Sequence, residues 1–312
     1  MSDVAVGASR DVAFDRDSGR ARLPDRSGLA TSADGTRIAW DVYGDDRGPA
    51  LLLLPSSPII HSRQWKGQVH YLARHFRVVA FDGRGNGRSD RPLDPGRYGD
   101  ATYLDDMQAV MDATATHAAV LVGLCADGVW RSMRFAVERP ERVLGIVAFA
   151  VGVPRLTPPH PFRLEHDFEA ELPAYEGWAL VNRHVWQADY PRFARFWFTA
   201  TTTEPHSTKA IEDAAGWAID GSPEAMLAEA EAPPVPGRDE IEAVCRAVRA
   251  PLLIVHGTED HCQPVARAHR LAELTGARLV IVEGADHMIP GRHPVLANLL
   301  IRDFVRGIEG GQ

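Results

Sequence analysis

Short, unbroken apolar runs alternate with segments of helical period along most of this 312-residue chain, and few architectures satisfy that grammar. The runs lie at 50–54 (ALLLL), 77–81 (RVVAF), 118–122 (AAVLV), 143–150 (VLGIVAFA), 251–255 (PLLIV) and 278–282 (RLVIV). A strand with no polar interruption is covered on both faces, and helical segments between such strands serve as parallel crossovers. The helical period places the intervening helices at 63–74, 101–116, 126–138, 265–274 and 294–308. A hairpin is expected from Gly28 onward, because Ala33-Asp34-Gly35 is turn chemistry and 36–43 (TRIAWDVY) reads as its second strand. The pattern specifies a mostly parallel, doubly wound α/β sheet.

The alternation breaks at 154–238, which opens on PRLTPPHP and closes on EAPPVPG. Between those proline clusters the chain is rich in aromatics, Trp178, Trp186 and Trp197 among them, and shows amphipathic helical pattern without a buried strand. This is the expected helical cap, inserted between core segments 28–153 and 239–312; residues 1–27, polar and aperiodic, read as a flexible arm. Most of the aromatics are expected to form the cap's own core. Trp178 and Trp186 are candidates for substrate contact, because caps of this kind sit over the strand ends where ligands bind, and Trp130 is a third because it lies near Cys125 in the chain.

Composition narrows the function classes. Asp and Glu number 42 against 34 Lys and Arg, a formal charge of −8, which argues against a nucleic-acid footprint or a polybasic membrane surface. The first twenty residues lack the apolar core of a signal peptide, and no stretch is long enough to span a bilayer. The three cysteines, Cys125, Cys245 and Cys262, are widely spaced with no CxxC, so neither a disulfide framework nor a structural zinc site is expected. A reducing, cytoplasmic setting follows as the expectation, with no cofactor or metal, no nucleic-acid partner and no membrane. The sequence leaves the oligomeric state open.

The chemistry concentrates where a buried strand runs into Gly123-Leu124-Cys125-Ala126-Asp127-Gly128 and a helix follows. Small residues permit the tight turn that lifts a side chain clear of the sheet. Cys125 then sits at a helix N-terminus, where the dipole favours an anion and should lower the thiol's pKa. This stretch resembles the nucleophile elbow of the α/β-hydrolase superfamily, G-x-S-x-G, with cysteine in place of serine. The resemblance implies the chain order nucleophile, acid, histidine. Asp260, in HGTED, and His287, in EGADH, both follow predicted parallel strands and so fall on the sheet edge that carries Cys125. Glu259 rivals Asp260 and His261 rivals His287; the resemblance puts the acid at the end of G-x-x-D and the base after the last strand. It also implies an oxyanion hole from the Ala126 amide and one amide of Pro55-Ser56-Ser57-Pro58. Ser57 is the expected donor, since Pro58 has no N–H. The glycine-rich DGRGNGRS at 82–89 lacks the helix and acid of a dinucleotide loop and matches a structural corner of the same superfamily.

Sulfur at the elbow shapes the functional expectation. A thioester yields readily to amines and thiols and more slowly to water. The resemblance to carrier-protein acyl and aminoacyl transferases and thioesterases implies an acyl-transfer enzyme working through acyl-Cys125, on a small-molecule or carrier-protein-bound acyl substrate. An ester or thioester hydrolase with the same triad is the first alternative, and a non-catalytic small-molecule binding protein of this fold the second. Asp127, two residues past the nucleophile, opposes a thiolate unless it is turned away; it reads as a helix N-terminal acid or as an orienting group for a cationic acyl donor or acceptor.

Overall fold

The computed structural model describes residues 22–45, 48–163 and 165–310. Residues 1–21 of the expected arm lie outside the described residues. Residues 22–25 already lead into the sheet: Asp25 donates its N–H to Val42 O at 2.8 Å and accepts from Gly44 N at 2.6 Å.

Eight strands form one sheet: β1 (Arg26–Thr31), β2 (Arg37–Tyr43), β3 (Ala50–Leu53), β4 (Arg77–Phe81), β5 (Ala119–Leu124), β6 (Val143–Phe149), β7 (Leu252–Gly257) and β8 (Arg278–Val282). Their spatial order is β1-β2-β4-β3-β5-β6-β7-β8. β1 pairs with β2 and β2 with β4 antiparallel, and every pairing from β4 across to β8 is parallel. The crossovers are α1 (Lys66–Leu72), α2 (Asp100–Ala113) and α3 (Cys125–Glu138). Between β6 and β7 stands the insertion, with α4 (Arg183–Ala188), α5 (Tyr190–Thr201), α6 (Thr208–Ile219) and α7 (Pro223–Ala230). It contains no strand among the described residues. The core resumes with α8 (Arg238–Ala247), α9 (Val265–Thr275), α10 (Ile289–Arg292) and α11 (Pro294–Gly310). This is the expected doubly wound sheet with an inserted helical region. No helix among the described residues is long and apolar enough to cross a membrane.

The unbroken apolar runs are explained by the two cores they serve. Leu51, Leu53, Val120 and Val122 join one core with Val69 and Leu72 of α1 and Ile301 and Val305 of α11. Leu52, Leu121, Ile146 and Ile254 point the other way, into Met107 of α2, Met133 of α3, Ile241 of α8 and Leu271 of α9. Val120, Leu121 and Val122 are wholly buried. Each such side chain contributes about 1.5–3 kcal/mol of burial, so the strand that delivers Cys125 is among the best anchored.

Three details depart from the expectations. β5 and β7 extend two residues past their predicted apolar runs, to Leu124 and Gly257, which carries the regular sheet up to Cys125 and to the loop that bears Asp260. β8 is not covered on both faces: as the edge strand it keeps Arg278 exposed and its other residues half-buried. α8 has no counterpart among the predicted helices.

The glycine-rich corner after β4 is structural, as its sequence implied. Arg84 is completely buried; its guanidinium donates to Asp106 at 2.6 and 2.7 Å and to Asp34 at 2.9 Å. Arg88 clasps Asp82 at 3.0 Å and Asp41 at 2.8 Å. Removing one member of a buried pair such as Arg84–Asp106 leaves an uncompensated charge, which costs roughly 3–5 kcal/mol.

Candidate active site

Cys125 is the first residue of α3 and holds φ at +63°, a left-handed conformation that costs a non-glycine residue about 1–3 kcal/mol. The backbone around it is packed too closely for side chains. A Cβ on Gly123 would come within 2.3 Å of Gly128 O, and one on Gly152, just past β6, within 2.3 Å of Ala126 N. Gly152 therefore supports the turn from the neighbouring strand, a role set by a tertiary contact that the local sequence does not display.

The loops after β7 and β8 meet Cys125 on the same edge. His287 Nδ1 lies 2.8 Å from Asp260 Oδ2 and 3.0 Å from Oδ1. Asp260 Oδ1 also accepts the N–H groups of Cys262 and Gln263, each at 2.8 Å. Burial would raise the Asp260 carboxyl, but His287 and these donors hold it below the usual value. Behind it, Val151 N–H donates to His256 Nδ1 at 2.9 Å, so His256 carries its proton on Nε2, 3.0 Å from Gln263 O. Burial lowers the His256 pKa, which keeps that ring neutral. The rivals stand apart: Glu259 and His261 are exposed, whereas Asp260 and His287 are buried.

A second sulfur shares the site. Cys125 Sγ, Cys262 Sγ and a ring nitrogen of His287 all lie within 4.8 Å of one another. Gln263 Nε2 reaches both sulfurs, at 3.6 Å to Cys125 and 3.5 Å to Cys262. The thiol shift runs opposite to the helix-dipole expectation: the neighbouring Cys262 thiol and burial push Cys125 well above its ordinary value, against the pull of His287. Burial disfavours a charged His287, yet Asp260 and Cys125 together hold its pKa well above the usual. Cys262 and burial thus favour the protonated form of the Cys125 thiol, and Asp260 favours a proton on the His287 ring. If His287 must be unprotonated to accept the thiol proton, kcat/KM should climb with pH through neutrality. A pH–rate profile checks this; a plateau already reached in mildly acidic buffer would contradict it.

These groups open into a cavity of about 260 Å³ under the insertion. Ser57 and Ala126 both lie on its wall. As the first residue after Cys125, Ala126 presents an N–H that has no acceptor within the helix. Trp186, Phe193, Trp197 and Phe198 of the insertion line the cavity's apolar side. Of the three tryptophans singled out from sequence, only Trp186 is on this wall. Trp130 donates Nε1–H to Asp100 at 2.8 Å and lines an adjoining cavity of about 360 Å³. Trp178 stacks away from both, edge-on to Phe196 and under the Arg163 guanidinium.

Asp127 is turned from the sulfur toward Arg131, one helical turn on, at 3.1 Å. Arg131 also meets Glu229 of α7 at 3.3 Å, and Tyr103 donates its hydroxyl to that carboxylate at 2.6 Å. Burial and the nearby Asp127 push Glu229 up to about 7. Glu229 was invisible in the sequence because it reaches the site only through docking of the insertion. Cys262 and Gln263 had a usable signal: they immediately follow the acid loop that the strand argument had already brought to this edge.

Comparison with known proteins adds four findings. The model of the alpha/beta hydrolase fold family matches residues 49–294. A non-heme chloroperoxidase of Streptomyces lividans is 28% identical over 288 residues, spanning 89% of this chain and 99% of that protein. Among solved structures, Est816, described as an N-acyl homoserine lactone degrading enzyme, superposes with a TM-score of 0.71 at 25% identity, covering 89% of this chain and 100% of its own. The esterase RhEst1 from Rhodococcus sp. ECU1013 gives a TM-score of 0.75 at 23% identity over 90% of this chain and 99% of its own.

Proposed function

The chain belongs to the α/β-hydrolase family, and from that premise we propose that it hydrolyses a small acyl ester through a thioester on Cys125. The observation that carries the reading is one juxtaposition: a strained Cys125 at the strand–helix turn, facing a His287 already hydrogen-bonded to buried Asp260.

His287 accepts the Sγ proton as sulfur attacks the ester carbonyl, forming the C–S bond. The Ser57 and Ala126 amides take the charge that develops on oxygen; removing one such donor typically costs about 10²–10³ in rate. Collapse breaks the C–O bond, and the alcohol leaves with the proton from His287. Water then attacks the thioester, gives its proton to His287 and releases the acid and the thiol. Asp260 fixes the ring and steadies its charged form. No step calls for a metal or a cofactor. The cavity's modest volume supports a compact acyl group. The relative described as degrading a lactone, a cyclic ester, supports attack at an acyl carbonyl.

Acyl transfer, the main expectation from the sulfur alone, takes second place because the family and the relatives above favour hydrolysis. One observation keeps it in view: aromatic side chains line one wall of the cavity, and a wall that limits water would favour a longer-lived thioester and capture by an amine, alcohol or carrier thiol. A chase separates the two. The acyl-enzyme is formed with an activated ester, then diluted into buffer alone or with a pantetheine thiol, an amine or an alcohol. Hydrolysis predicts decay within a turnover time in buffer and free acid as product whatever is added. Slow decay in buffer and fast, product-changing decay with one acceptor would reverse the order. A binding protein without catalysis would bind ligand equally well with Cys125, Asp260 and His287 all replaced.

A further inference from the structure

Cys262 has no part in the hydrolytic steps, yet its buried sulfur lies within 4.8 Å of both the Cys125 sulfur and a His287 ring nitrogen. Asp260 occupies His287 Nδ1, which leaves Nε2 as the ring's free donor. Two thiols and one imidazole, with a carboxylate behind the imidazole, make up the donor set of an open zinc site, and the carboxylate–histidine pair is the usual support of such a ligand. A tetrahedral zinc with bonds of about 2.3 Å to sulfur and about 2.0 Å to nitrogen holds its donors roughly 3.5–3.8 Å apart. The three donors therefore need to close by no more than about 1.0–1.3 Å, a shift on the scale of side-chain rotation.

We propose that Cys125, Cys262 and His287 bind a zinc ion, and that the bound metal holds the enzyme inactive. Two S–H bonds and the Nε2–H bond of the charged His287 ring break, two Zn–S bonds and one Zn–N bond form, all three protons go to solvent, and no electron changes hands. All three donor residues line the cavity, which would leave a fourth position to water or an anionic ligand. Gln263 Nε2, donating toward both sulfurs, and Arg163 Nη1, 3.9 Å from Cys262 Sγ, offset the negative charge of the two thiolates. One ion removes nucleophile and base together, so inhibition follows from occupancy. The wide spacing of the cysteines hid this grouping, because spacing rules detect sites built within one loop, whereas β5 and β7 deliver these two sulfurs from distant parts of the chain.

The test titrates the reduced full-length chain with cobalt(II), whose absorption reports its ligands. The expected result is one cobalt per chain, sulfur-to-cobalt charge transfer in the near ultraviolet, intense tetrahedral bands in the visible, and displacement of both by zinc. Cys262→Ala should weaken binding by at least about 100-fold, at or above the loss typical of disturbing even the groups around a metal's ligands. Cys245→Ala, on the far side of the sheet, should leave the spectrum unchanged. Weak octahedral bands without charge transfer in the unaltered chain would overturn the site, and so would a Cys262→Ala protein that binds as tightly. The spectrum decides metal binding whether or not the ester-hydrolase reading holds. Inhibition is read separately: zinc should stop turnover in the unaltered chain, with the inhibiting concentration rising in Cys262→Ala by the same factor as the binding constant, and a zinc-loaded enzyme that still turns over would overturn the regulatory half.

Discussion

Replacing Cys125 with alanine is expected to cut kcat by about 10⁴–10⁶ while the protein stays folded, on the scale seen when the nucleophile of a triad is deleted. The fold should survive because the change removes one atom from a partly exposed side chain at a position whose backbone strain both residues share. The two effects are measured separately, the rate by steady-state hydrolysis of an activated ester and the fold by thermal unfolding. Cys125→Ser should keep only a trace of activity, since the shorter C–O bond draws the nucleophile back and a hydroxyl is far harder to deprotonate than a thiol. A Cys125→Ala protein with near-normal turnover would place the chemistry elsewhere in the cavity.

The second large effect concerns the pair behind the sulfur. His287→Ala should lose roughly three or more decades of rate, and Asp260→Asn somewhat fewer, because the orienting acid acts only through the ring. The two differ in stability as well. Asp260 is wholly buried and accepts from His287 and from two loop amides, so an asparagine there turns an N–H₂ toward donors and costs about 1–3 kcal/mol. His261→Ala, at an exposed ring whose neighbour is Phe162, should leave the rate nearly unchanged. Kinetics of the three variants with one ester decide the matter; a His261→Ala variant more damaging than His287→Ala would mean that the wrong histidine has been given the proton.

Much of this was legible in the residues. The apolar runs located the six strands from β3 to β8 because alternate side chains fill different cores, Leu51 and Leu53 on one face and Leu52 on the other. Chain order and strand ends brought Cys125, Asp260 and His287 to one edge. α8 escaped because only Ile241 and Cys245 of its ten residues are buried apolar positions, with Val244 packed at the margin, so its stripe is thin among charged neighbours. β8 misled through its composition: RLVIV reads as an interior strand, yet it closes the sheet and stays half-covered. The thiol's environment could not be read locally either. The helix dipole argued for a lowered pKa, and a second buried sulfur from a loop far along the chain reversed the direction. The insertion was legible as helical and aromatic. Which of its side chains reach the cavity is decided by how it docks, so Trp186 and Glu229 could not be sorted from their neighbours beforehand.

The central claim is that acyl groups pass through Cys125. The most direct measurement mixes the reduced protein with p-nitrophenyl acetate, quenches in acid within one turnover, and maps the modified peptide by mass spectrometry. One acetyl group on Cys125, absent from Cys125→Ala and accumulating in Asp260→Asn as deacylation slows, is the predicted result. Acetyl found only on Cys262 or Cys245, or full hydrolysis in Cys125→Ala with no adduct in either protein, would contradict it.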